Sequence, residues 1–262
     1  MSSHVIAITN QKGGVAKTTS AIQIGVGLSR MGRKVLLIDL DPQGSLTYGC
    51  GINTNKKKTV YEAVMTGDKE NLLESIVHLN GYDVVPSDMR LCNAEVELQS
   101  IPGKELILGG LLEDIEHSYD YVFIDCPPSL GVLTINAMIA SQRLYVALQP
   151  ESAAIEGLSM LTKTIDQLNK ALGKRLGITV KIAGVIITLY KGNTSIHQAF
   201  ADVAKQSFGP LVFETRIRHT IDFATAYSQH MSIYEWKPRS IGAEDYTTLC
   251  NEIIVREENG NG

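Results

Sequence analysis

The chain has 262 residues, 44% of them apolar, and a formal net charge of −4. That is enough to bury a substantial core, but it gives no global attraction to nucleic acid, so any such contact must come from a local basic cluster. The four cysteines, Cys50, Cys92, Cys126 and Cys250, stand far apart without a C-x-x-C pair, which disfavours zinc, iron–sulfur and disulfide frameworks and fits a reducing cytoplasm.

Taken in chain order, HVIAIT (4–9) reads as a strand; with no charged leader before it and no long hydrophobic segment, it does not read as a signal peptide. A helix follows from about Lys17, with Gly32 as its stop. KVLLIDLD (34–41) is the second strand, NKKK (55–58) a solvated loop before a helix at Thr59, and YDVVPS (82–87) a further strand. YDYVFIDCPPS (119–129) and RLYVALQP (143–150) are strands, Glu151 to about Leu172 is a helix containing Gly157, and VKIAGVIITLY (180–190) is a strand. A helix–strand–helix region comes next, and the polar, glycine-rich VREENGNG (255–262) reads as a frayed tail. No apolar stretch approaches the roughly 18 residues of a spanning helix, and the end carries no basic amphipathic helix for a membrane surface. Runs apolar on both faces and separated by helices predict a doubly wound α/β fold: a mostly parallel sheet with helices on both faces, in a single domain over 1–262. Its chemistry should gather at the carboxyl ends of the strands.

The stretch TNQKGGVAKTTSA (9–21) sits between the first strand and first helix, where a phosphate-binding loop belongs, yet Gln11 and Ala16 replace the two glycines of the usual pattern. Gly13 and Gly14 let the backbone turn its N–H groups toward phosphate oxygens, and the helix beginning near Lys17 aims its positive end the same way. Gly13, Gly14, Val15, Ala16, Lys17, Thr18 and Thr19 are therefore the expected nucleotide contacts, with Lys12 an extra lysine. Lys17 would neutralise the β and γ phosphates and Thr18 would serve a Mg²⁺. Ala16 is harmless if its φ is negative and strained if it is left-handed. Carboxylates just past apolar strands need a cation or hydrogen bonds; Asp39, Asp41 and Asp125 all lie there, and Asp125 suits acceptance from a Mg²⁺-bound water.

KGGVAKTT, LIDLDPQGS, YDYVFIDCPPSLG and LQPESAAIEGLSML, in this order and spacing, resemble the ParA/Soj group of the ParA/MinD family of deviant Walker ATPases from about Val5 to Ile254, and KPRSIGAEDY resembles the group's carboxyl-terminal block. The resemblance implies ATP and Mg²⁺ as cofactors and slow, partner-stimulated ATP hydrolysis by a homodimer sandwiched on ATP. It implies non-specific binding to double-stranded DNA, a ParB-like or other adaptor, and a cytoplasmic, nucleoid-associated place of action without a membrane. Lys12 matches the signature lysine that reaches the partner's ATP. Such a cation delivered in trans would make hydrolysis depend on pairing, because the transition state spreads negative charge. Asp41 matches the acid needed for hydrolysis, with Asp39 orienting the lysine or metal-bound water; which aspartate positions the attacking water stays open.

For DNA, the candidates are Lys191, Lys205, Arg216, Arg218, Lys237 and Arg239 in the late basic region, although Asp222 stands near where the group's pattern carries an arginine. A segregated cargo other than DNA, such as a microcompartment or protein array, is the alternative. A membrane oscillator, an iron–sulfur scaffold and a P-loop enzyme of the dethiobiotin synthetase type each lack a sequence feature they require or conflict with Lys12 and DLDPQG. The six histidines show no metal-ligand spacing.

Overall fold

The computed structural model describes residues 3–113, 115–192 and 194–259. The first half runs β1 His4–Thr9, α1 Lys17–Arg30, β2 Val35–Asp39, α2 Ser45–Gly49, α3 Val60–Thr66, α4 Lys69–Ser75, β3 Val77–His78, β4 Asp83–Val85, α5 Leu91–Glu97 and α6 Ile107–Leu112. It continues with β5 Tyr121–Asp125, α7 Val132–Ser141, β6 Arg143–Leu148, α8 Ser152–Leu168, α9 Lys174–Leu176 and β7 Lys181–Tyr190. The remainder is α10 Ser195–Phe208, β8 Val212–Arg218, α11 Asp222–Ser228, α12 Ile233–Trp236 and α13 Ile241–Asn259. The strands form one sheet in the order β3-β4-β2-β5-β1-β6-β7-β8, parallel except for the β3–β4 pair.

Alternation along fully buried strands explains why they read as unbroken apolar runs. In β2, Leu36 and Ile38 join a core beneath α3, α5, α6, α7 and α8, while Val35 and Leu37 join another beneath α1, α12 and α13. The doubly wound architecture is thus present with helices on both faces. β1 lies between β5 and β6, so the connections beside it leave in opposite directions and open a crevice at its carboxyl end.

Local signals act where they were read. Thr59 caps α3 through a reciprocal box with Glu62, and Gly32, at φ +83°, closes the end of α1. The helix after Glu151 is less regular than its pattern suggests: α8 passes into a π-helical turn over Asn169–Gly173 before α9. There the Asn169 side chain donates to the Val180 carbonyl at 2.8 Å and accepts from Val180 N at 2.9 Å, fastening the turn to the entry of β7. The two-residue β3 is too short to leave a periodic signal.

At the carboxyl end, helix α13 runs on to Asn259, further than its polar, glycine-rich sequence suggests; residues 260–262 of the expected tail lie outside the described residues. Anchors explain the extension. Arg33 donates to both carboxylate oxygens of Glu258 at 2.7 and 2.8 Å, and Glu257, with its side chain fully buried, pairs with Arg143 and accepts from the Tyr145 hydroxyl at 2.7 Å. The same helix closes the β8 rim of the sheet. Glu252 accepts from Glu214 N and Thr215 N at 2.9 and 2.8 Å, and Asp245 from Arg218 N at 2.8 Å. No helix among the described residues is long and apolar enough to cross a membrane.

Burial alone would push the Glu257 carboxyl up, but hydrogen bonds from His4 and Tyr145 and the Arg143 guanidinium outweigh it and hold the group below its ordinary range. A depressed carboxylate stabilises the fold above its unfolded pKa, and that contribution disappears as pH falls through the folded value. Glu257→Ala should therefore cost about 3 kcal/mol in urea unfolding at pH 7, because Arg143 is left without its buried partner, and the gap to the unchanged protein should narrow below about pH 4. A gap independent of pH would contradict this role.

Candidate nucleotide site

Bonds to the sheet fix the loop between β1 and α1. Asn10 donates from Nδ2 to the Ala147 carbonyl of β6 at 2.7 Å and accepts from Lys12 N at 2.9 Å; Thr188 of β7 donates its hydroxyl to the Val15 carbonyl at 2.9 Å. Neither anchor is visible as a motif, since each depends on strands distant in sequence. A Cβ at Gly13 or Gly14 would meet nothing within 4 Å, so the loop presents bare backbone to open space, as a phosphate cradle requires. Gly14, at φ +74°, takes a backbone conformation suited to glycine.

Beside the loop lies a cleft of about 740 Å³. Gly13, Gly14, Lys17, Thr18, Thr19 and Asp41 line it, together with Leu189, Ile217, Ile221 and Phe223. Lys17 is nearly buried, its ammonium 3.4 Å from the Lys12 carbonyl. Val15 is buried and helps seat the turn.

Adjacent strands deliver two aspartates in register, Asp39 of β2 and Asp125 of β5, both without exposure to water. The Thr18 hydroxyl donates to Asp125 Oδ2 at 2.6 Å, and Asp125 Oδ1 is buried without a partner. Burial, followed by the neighbouring Asp39 charge, raises the Asp125 carboxyl well above its ordinary range; Thr18 and Lys17 act in the opposite sense. An unsatisfied buried carboxylate oxygen is costly, and hydroxyl and carboxylate oxygens are the donors that suit Mg²⁺.

Asp39 is satisfied differently. It accepts from the Thr47 hydroxyl at 2.7 Å, from Thr47 N at 2.8 Å and from Asp41 N at 3.2 Å. Burial pushes its carboxyl up to about 6. With both oxygens engaged by protein donors, Asp39 braces the turn that carries Asp41, and Asp125 keeps the free oxygen. Asp41 is half-buried, lines the cleft and accepts from Gln43 N at 2.9 Å. Thr47, which also accepts from Ser87 N at 2.8 Å, escaped notice in the sequence because a threonine at the start of a short helix resembles an ordinary surface residue.

The two loop lysines point to different surroundings. Lys17 lines the cleft, whereas Lys12 does not; its side chain is 40% exposed and pairs with Glu151, at the start of α8. A further cap sits opposite: Glu95 of α5 accepts from Val132 N at 3.1 Å and Leu133 N at 3.4 Å, and any side chain at Gly131 would overlap its carboxylate.

Most late basic residues are neutralised within the chain. Lys205 pairs with Glu214 at 2.6 Å, Arg216 with Asp202 at 3.5 Å while also donating to Tyr190 Oη at 2.9 Å, and Lys237 with Asp222 at 3.1 Å. Arg218 is held most firmly, by Asp245 at 2.5 Å and Glu244 at 3.1 Å. Among the described residues, the side chains of Lys191 and Arg239 alone in this set have no hydrogen-bond or ion-pair partner.

The sequence model of the AAA domain matches residues 3–178, and with this loop and sheet the chain is a P-loop ATPase. It belongs to the ParA/Soj group of the ParA/MinD P-loop ATPases. Sporulation initiation inhibitor protein Soj of Bacillus subtilis (strain 168) is 38% identical over 254 residues, covering 96% of this chain and 98% of that protein. Chromosome partitioning protein ParA of Caulobacter vibrioides (strain NA1000 / CB15N) is 38% identical over 256 residues, covering 97% and 94%. Among solved structures, cobyrinic acid a,c-diamide synthase from Mycobacterium smegmatis with bound ATP analog and magnesium superposes with a TM-score of 0.83 at 31% identity, covering 99% of this chain and 97% of that one. ATP and Mg²⁺ are the cofactors and ATP hydrolysis is the reaction.

Ala16, at φ +64° and ψ +32°, is left-handed, the strained case for a residue with a Cβ. Ala16→Gly should stabilise the nucleotide-free protein by about 1 kcal/mol in urea unfolding. An unchanged or lowered stability would show that the loop relieves the strain elsewhere.

Proposed function

We propose that the chain is a one-domain partitioning ATPase: two copies sandwich ATP, bind DNA without sequence preference, and release it on hydrolysis stimulated by a ParB-like partner, so segregating plasmid or chromosome DNA. The observation that carries this reading is the division of labour between Lys17, inside the cleft, and Lys12, outside it on Glu151. Lys17 would neutralise the β and γ phosphates, with the Gly13–Thr19 backbone around them, while Thr18 and Asp125 would hold Mg²⁺, which supplies offsetting charge to the phosphates when bound. Asp41 orients the attacking water, and Asp39 holds Asp41 in place. Lys12 exchanges Glu151 for the phosphates of the facing subunit. The exchange is cheap because a half-exposed ion pair contributes at most about 1 kcal/mol.

Lys17→Ala should abolish ATP binding in calorimetry. Lys12→Ala should instead keep ATP affinity within about threefold while losing ATP-dependent dimerisation and hydrolysis, and Asp41→Ala should accumulate an ATP-bound dimer in light scattering. A monomeric Asp41→Ala protein would contradict the sandwich.

Carboxylates offset the late basic region within one subunit, so DNA affinity must be weak for a monomer and must gain from two linked copies. Lys191 and Arg239 are the free cations; Lys205 and Arg216, in exposed pairs, can exchange carboxylate for phosphate at little cost. Arg218, bound to two carboxylates, is best read as a brace between β8 and α13. Lys191→Glu with Arg239→Glu should weaken binding to unrelated duplexes about equally and flatten its salt dependence while leaving ATP affinity intact. Gel shifts with ATP and with ADP test this: tight binding that ignores the nucleotide would reject the mechanism. The synthase that shares this scaffold favours a second reading, a P-loop enzyme acting on a small metabolite. Turnover of ATP alone, raised by DNA and an adaptor, separates the two.

A further inference from the structure

The loop and Asp41 give the cleft its backbone, lysine and carboxylate lining, but the cleft also has an apolar wall. Leu189, Ile217, Ile221 and Phe223 supply it, and Ile221 is 76% exposed at its rim. A large apolar side chain left so open beside a cleft is a surface for a flat ligand. Three hydroxyls of the lining are engaged. Tyr227 donates to the Ser45 carbonyl at 3.0 Å, Tyr246 exchanges a hydrogen bond with Ser20 at 3.0 Å, and the Thr220 oxygen accepts from Asp222 N at 3.2 Å. His219 differs: its backbone N–H donates to the Tyr190 carbonyl at 2.9 Å, fixing the residue at the end of β8, while among the described residues its ring has no partner.

We propose that His219 is the base-selecting residue of this site, its imidazole accepting a hydrogen bond from the exocyclic amino group of adenine while the ring system lies on Ile221 and Phe223. The inference rests on the reading of this cleft as the ATP site. Physically, a base leaving water for an apolar wall must recover the hydrogen bonds of its polar edge or incur the cost of an unsatisfied group. A neutral imidazole has an acceptor nitrogen to offer, and among the described residues the exposed ring of His219 in this lining has no bond that would compete for it. The phosphates supply most of the affinity, so the effect of His219 appears in the choice among nucleotides.

The test is a thermodynamic cycle between this ring and the amino group. Wild type, His219→Phe and His219→Gln are titrated calorimetrically, with Mg²⁺, against ATP and against purine riboside triphosphate, which lacks the amino group. Wild type should prefer ATP about fivefold, the scale of one hydrogen bond; His219→Gln, which keeps an acceptor, should retain at least half of that preference. In His219→Phe, which keeps a flat ring but no acceptor, the preference should fall below about twofold while the des-amino nucleotide binds as it does to wild type. An undiminished preference in His219→Phe, or no preference in wild type, would overturn the assignment. Failure of wild type to bind either nucleotide would count instead against the nucleotide reading of the cleft.

Discussion

Two carboxylates shut away from water at the ends of neighbouring strands set the terms for this molecule. Asp39 and Asp125 stand in register on β2 and β5, where like charge and desolvation oppose ionisation of both. The surroundings resolve the conflict unequally. Thr47 and the Asp41 amide satisfy Asp39 from within the chain, whereas Asp125 receives Thr18 on one oxygen and nothing on the other. One carboxylate thus belongs to the framework and the other to a ligand, and the loop, the turn after β2 and the mouth of the cleft are arranged around that difference.

The same economy governs the lysines. A cation placed inside the cradle neutralises phosphate whatever the state of assembly, while one displaced to its rim acts only when something is brought against it. Glu151 holds Lys12 at that rim without burying it. The pair keeps the charge in a defined direction at small energetic cost, and in the proposed sandwich that is what would make the nucleotide chemistry of one copy depend on the other.

Much of this was legible in the sequence because the strands at the centre of the sheet are buried on both faces, which leaves unbroken apolar runs, and because residues that cradle phosphate lie together in the chain. Lys17, Thr18 and Asp125 could be named for that reason. Asn10, Thr188 and Glu95 could not, since each bonds to a group far away in sequence; Thr47 lies only eight residues from Asp39, but nothing in a lone threonine announces its partner. The ion pairs of the basic region were hidden for a related reason. Lysine and arginine can be counted in a sequence, but the carboxylates that neutralise Arg218 and Lys205 come from other elements and appear only after folding.

The rims of the sheet carry a consequence of their own. An edge strand with free amides is a template for a strand of another molecule. At one rim Glu252 and Asp245 occupy amides of β8, and at the other β3 is only two residues long. Sideways accretion, one sheet extending the next into a ribbon, is discouraged at both ends. The fold thus carries a built-in defence against becoming a fibre, and the face-to-face pairing proposed above leaves both of these rims out of the contact.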